Sequence, residues 1–141
     1  MLRKQQIIFS LMVAIGVALI AVTALIDRGG QEDLALSIPG VEALIPQRND
    51  EVLQQQQVGI DLSPEYRLVE MTISANANCA EAVTVTAHVR RVDGLAQFLY
   101  QPAANLPVEA LAPDQNCVTA TIEKISEPGI YTDVEWGFTV N

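Results

Sequence analysis

The stretch Cys117-Val118-Thr119-Ala120-Thr121-Ile122-Glu123-Lys124 decides the fold, together with Asp133-Val134-Glu135-Trp136-Gly137-Phe138-Thr139-Val140. In a strand, successive side chains point to opposite faces, so an apolar residue at every second position marks a half-buried strand. Val118, Ala120 and Ile122 fall on one face of the first stretch; Thr119, Thr121 and Glu123 fall on the other. In the second stretch Val134, Trp136, Phe138 and Val140 share the inward row, while Asp133, Glu135 and Thr139 look out. Val118, Ile122, Trp136 and Phe138 are therefore predicted core residues.

The same period extends upstream. Val83, Val85, Ala87 and Val89 oppose Thr84, Thr86 and His88, predicting a strand over 82–89, and Val69, Met71 and Ile73 form a fourth inward row. Val41–Ile45 and Gln57–Leu62 read as the opening strands, whereas 95–100 fits a short strand or a helical turn. Turn signals separate these runs: Pro46–Asp50, Ser63-Pro64-Glu65, Asp93-Gly94, Pro113–Asn116 and Glu127-Pro128-Gly129. With no convincing long amphipathic helix, the prediction is an all-β, immunoglobulin-like antiparallel β-sandwich of about seven strands with Greek-key connections. About 100 residues suffice for one hydrophobic core and are too few for two.

Cys79 and Cys117 are the only cysteines, 38 positions apart. Each follows a polar stretch, so both read as loop-to-strand junctions. An even count in an exported domain points to one structural disulfide; two free buried thiols are the rival reading. A redox-active pair lacks the C-x-x-C spacing and a basic neighbour to activate a thiol.

Before the domain lies Ile7–Ile26, twenty residues without a charge, preceded by Arg3 and Lys4. At 1.5 Å per residue such a helix covers ~30 Å, the thickness of a bilayer's hydrocarbon core. Basic residues before the span predict a cytoplasmic N-terminus and an extracytoplasmic C-terminal domain. Val22-Thr23-Ala24 leaves a cleaved signal peptide as the alternative, and both readings export the domain. The predicted organisation is a cytoplasmic tail (1–6), a transmembrane helix (7–26), a glycine-containing linker (27–38) and the sandwich domain (39–141).

All seventeen acidic residues lie at or beyond Asp27, against six basic ones there, giving the exported part a formal charge of −11. That sign repels phosphate backbones and excludes nucleic acid as a partner; its plain role is solubility.

Chemistry is sparse. His88 is the only histidine, on a polar strand face, and a histidine metal site needs matching partners. The sequence contains no H-E-x-x-H, no G-x-S-x-G and no phosphate-binding glycine loop. Asp50 and Glu51 come nearest to a calcium pair, and Asp133 with Glu135 second, but neither has the D-x-D-x-D-G pattern. Arg90-Arg91 is the one basic spot; alternation would turn Arg91 inward unless the strand bends there. We expect no catalytic residues, no cofactor and no metal.

The stretch Leu44-Ile45-Pro46 through Val52 to Leu62, followed by Asn116 through Ala120 and Trp136 through Val140, resembles a group of uncharacterised single-pass actinobacterial membrane proteins. The resemblance implies one immunoglobulin-like domain outside the membrane and brings no activity with it. Pro128-Gly129-Ile130-Tyr131, with Val134 and Trp136, is also similar to the closing hairpin of periplasmic copper-carrier sandwiches. That family binds copper through histidines near its N-terminus and in its final loops, where this chain has none. Both cysteines precede Trp136, so the Cys…Trp…Cys order of antibody domains is absent.

Two functions follow as expectations. One is a non-enzymatic accessory or interaction module at the cell envelope, anchored in the membrane and docking a membrane-proximal protein. The other is an extracytoplasmic small-ligand or metal carrier.

Overall fold

The computed structural model describes residues 38–141. The predicted tail, the predicted span and the linker up to residue 37 lie outside the described residues. Nine strands follow: β1 (Val41–Ile45), β2 (Glu51–Val52), β3 (Val58–Leu62), β4 (Tyr66–Ser74), β5 (Val83–Thr84), β6 (Arg90–Arg91), β7 (Gln97–Tyr100), β8 (Asp114–Lys124) and β9 (Tyr131–Val140). They form two packed sheets, one ordered β1-β3-β7-β6 and the other β2-β9-β8-β4-β5.

The second sheet is built on β8, which pairs antiparallel with β4 and β9 over nearly its whole length. Val118 faces Trp136 across the ladder and Ala120 faces Val134. All four are buried, as are Ile122, Phe138 and Val140. These rows meet Leu44, Val58, Ile60, Leu62 and Tyr100 from the first sheet in a single core. The indole Nε1 of Trp136 is buried with no acceptor among the described residues, so this side chain fills volume and fixes no polar contact.

Four sequence expectations need correction. The strand over 82–89 stops at Thr84, because Thr86–His88 forms a 3-10 turn. A backbone bond from Val85 N to Met71 O and a bond from Met71 N to the Thr86 hydroxyl oxygen hold this segment against β4. Only Val85 of its apolar row is fully buried; Val83 is exposed. Val69 is exposed too, since a bulge between Leu68 and Glu70 breaks the inward alternation of β4. Cys117 lies inside β8 rather than at a loop-to-strand junction. The strand count rises from seven to nine through the two-residue edge strands, and one of them, β2, runs parallel to β9.

Two glycines are fixed by contact. Gly40 adopts φ +86° and carries the Tyr66 ring where a side chain would stand. Gly59 in β3 lies under Leu99, and a Cβ there would collide with that side chain and with the Phe98 carbonyl.

Candidate functional site

The two ends of the sandwich differ in chemistry. At one end the chain arrives through Ile38, where Val41 N donates to Ile38 O and Ser63 N to Gly40 O. At the other lie the connections after β1, β2, β4 and β7, and the C-terminal Asn141. We term these the Ile38 end and the loop end.

The loop end is held by specific bonds. The phenol of Tyr100, buried in the core, donates to Val108 O at 2.8 Å and accepts from Val108 N at 3.0 Å. Asn116, also buried, accepts from Ala112 N and donates to Ala112 O, so its amide acts as a short stretch of strand. Leu111 N reaches Gln54 O, and the Gln101 side-chain amide reaches Gln55 O, joining the β7–β8 connection to the β2–β3 connection. A disulfide links Cys79 to Cys117, with Cα atoms 5.0 Å apart, and ties the β4–β5 connection to β8. Within that connection the Ser74 hydroxyl donates to Ala80 O, and Asn76 N donates back to Ser74 Oγ.

Five non-glycine residues have positive φ: Asn49, Cys79, Glu81, Asn105 and Asp114. All five belong to the loop end. Asn and Asp tolerate this left-handed region; Cys and Glu enter it only when their surroundings impose it. Here the disulfide and the Ser74–Ala80 bond impose it. Leu53 projects from this end with 73% of its area exposed, beside the glutamine run 54–57.

The sequence-predicted chemical candidates are dispersed. Asp50 accepts from Gln47 N at 3.0 Å within its turn, and Glu51 accepts from the Asn141 side chain at 3.2 Å. Asp133 accepts from the Thr121 hydroxyl, while Glu135 stands opposite Thr119 on β8. His88 is exposed on the 3-10 turn. Arg91 is exposed at the open edge, its guanidinium 5.9 Å from the Phe98 ring centre. Among the described residues, no three His, Cys, Asp or Glu side chains converge as a metal site. Met71, the one methionine there, is sealed in the core.

At the Ile38 end, Arg67 binds the buried Glu123 at 2.8 Å, an outward-row residue that the sequence places in water. Lys124 binds Glu127 at 3.0 Å, and that hydrogen bond and charge raise the lysine's pKa. Sequence reasoning missed the Tyr100 and Asn116 brackets, because each joins residues through loops that carry no periodic signal.

No family model matches the sequence, and no curated protein matches it. Among solved structures, CopC from Methylosinus trichosporium OB3b is similar at 12% identity and a TM-score of 0.52, covering 74% of this chain and 94% of that one. PcoC, a methionine-rich copper resistance protein from Escherichia coli, is similar at 16% identity and a TM-score of 0.49, covering 73% and 98%. Murine CRIg gives 9% identity and a TM-score of 0.35, covering 70% and 97%. At such identity the likeness to CopC is one of fold: the described residues form an all-β sandwich of that architecture.

Proposed function

We propose that the chain is a membrane-anchored, extracytoplasmic interaction module of immunoglobulin-like type that docks a protein partner through its loop end. One observation carries this reading: the loops there are bracketed to one another and hold five non-glycine residues at positive φ. Fixing loops in advance lowers the entropy lost on binding, which is what a recognition surface needs. The exposed Leu53 supplies an apolar contact within a polar rim, the usual anatomy of a small interface. Leu53→Asp should abolish partner binding and leave the melting temperature unchanged, with Val69→Asp, exposed at the bulge of β4, as the control away from the loop end. Equal loss from both substitutions would reject the assignment to this surface.

The second reading is a small-ligand or metal carrier. The fold shared with CopC supports it, as does the likeness to PcoC's copper-resistance group, and the comparisons lean this way more than toward docking. We weight the side chains above the fold, because one fold hosts many functions and the site must carry the chemistry. Calorimetric titration of the exported domain with copper(II), copper(I) and calcium decides between them. The docking reading predicts no heat beyond dilution; stoichiometric saturation by any of the three would establish the carrier.

A further inference from the structure

Seven large apolar side chains are exposed among the described residues, and four of them crowd the Ile38 end: Leu95 (55%), Ile125 (54%), Ile130 (64%) and Tyr131 (58%). They come from two hairpins. Leu95 follows the β6–β7 turn, which Leu62 N joins through Ala96 O; Ile125 and Ile130 bracket the β8–β9 turn, which Ile125 N joins to Glu65 O. Pro64, Glu65, Ile125 and Ser126 line a shallow cleft between the β3–β4 and β8–β9 turns. The β8–β9 tip stands free, since a methyl group on Gly129 would meet nothing within 4 Å.

Residues 38–141 carry fourteen acidic and five basic side chains. Around the β8–β9 hairpin, Arg67 and Lys124 are each paired with a glutamate. Glu65 in the β3–β4 turn and Asp93 in the β6–β7 turn keep the surroundings of the tips acidic, so the apolar tips suit a zwitterionic interface and not anionic headgroups.

The occupant follows from chain length. The apolar run ends at Ile26, and eleven residues separate it from Ile38. Eleven residues extended at ~3.3–3.6 Å each reach about 40 Å, and a random chain of that length has a root-mean-square span of ~18 Å. With the apolar run in a bilayer, Ile38 would therefore be tethered within about 40 Å of it. Tyr131 and Lys124 have the apolar body and polar tip that suit the headgroup layer, and Ile125 and Ile130 suit the acyl boundary beneath it.

We propose that the β6–β7 and β8–β9 hairpins seat the domain on the membrane interface, with Leu95, Ile125, Ile130 and Tyr131 as its contact and the loop end facing outward. This inference rests on the reading of 7–26 as a retained span.

The test uses the full chain, with its native disulfide, in phosphatidylcholine vesicles. Spin labels are placed singly through Ile130→Cys, Leu95→Cys and, at the loop end, Ala104→Cys. Collision rates with oxygen, which partitions into lipid, and with a water-soluble nickel chelate report depth. The proposal predicts an oxygen-to-nickel ratio several-fold higher at positions 130 and 95 than at 104. Equal ratios in vesicles that carry the chain would overturn it and leave the anchor standing. Label–label broadening at 130 would overturn it in favour of a second copy. Failure of the chain to float with the vesicles would overturn the anchor and this inference together.

Discussion

The Tyr100 phenol and the Val108 peptide unit satisfy one another twice, the hydroxyl donating to Val108 O and accepting from Val108 N. Tyr100 is wholly buried, so one side chain fixes the β7–β8 connection to the core from which it projects. Val108, in the middle of that connection, is thereby tied to the sandwich beneath it.

Tyr100→Phe tests this pin. It keeps the ring and strands a part-buried peptide group, which costs about 1–3 kcal/mol when no water replaces the partner. Urea unfolding should show that loss, and amide exchange should accelerate across residues 101–113. A loss under ~0.5 kcal/mol with unchanged exchange would mean that the connection is held without the phenol.

Trp136 should behave as a volume-filling residue. Trp136→Ala is expected to cost roughly 3–5 kcal/mol through lost transfer energy and the cavity left behind. Trp136→Phe should cost much less, because it also removes a buried N–H that has no acceptor. Iodide should not quench the native fluorescence. Strong quenching, or a small effect from the alanine variant, would place the indole at the surface.

The Cys79–Cys117 bond closes a loop of 38 positions. On the chain-entropy account that closure stabilises the fold by ~4 kcal/mol. Mass spectrometry of the native protein should find no alkylatable thiol, and Cys79→Ser with Cys117→Ser should lower stability by most of that amount. Two reactive thiols in native material would contradict the pairing.

Membrane topology is a separate expectation. Protease added to intact, wall-stripped cells should remove the domain, because Arg3 and Lys4 precede the predicted span. Protection until lysis would reverse the orientation.

How legible was this in the sequence? The rows of β8 and β9 were, because long strands in the middle of a sheet repeat a period of two with little interruption. The segment 82–89 has the same alternation of Val and Thr and was misread. Its period is overridden by tertiary bonds: Met71 captures Val85 through its carbonyl and Thr86 through its peptide N–H. Val69 misled for a related reason, since a bulge moves one residue out of phase without changing composition. At the loop end, Asn49, Asn105 and Asp114 are residue types that tolerate positive φ, so their turns leave a local trace. Cys79 and Glu81 leave none, because their conformation is set by a disulfide and by a hydroxyl several residues away. The chemical candidates Asp50, Glu51 and His88 stand out as residue types, but the fold keeps Asp50 and Glu51 together at the start of β2 and puts His88 on the separate 3-10 turn after β5.

The most direct test of docking through the loop end is site-specific photocrosslinking in the native host, with the anchor intact. A benzophenone side chain is placed at Leu53 or Ala104 on the loop end, and at Glu70 or Glu135 on the outer face of the second sheet. A protein partner docked at the loop end predicts one adduct of the same discrete mass from positions 53 and 104, and none from 70 and 135. Adducts only from 70 and 135, or none from any position, would contradict it.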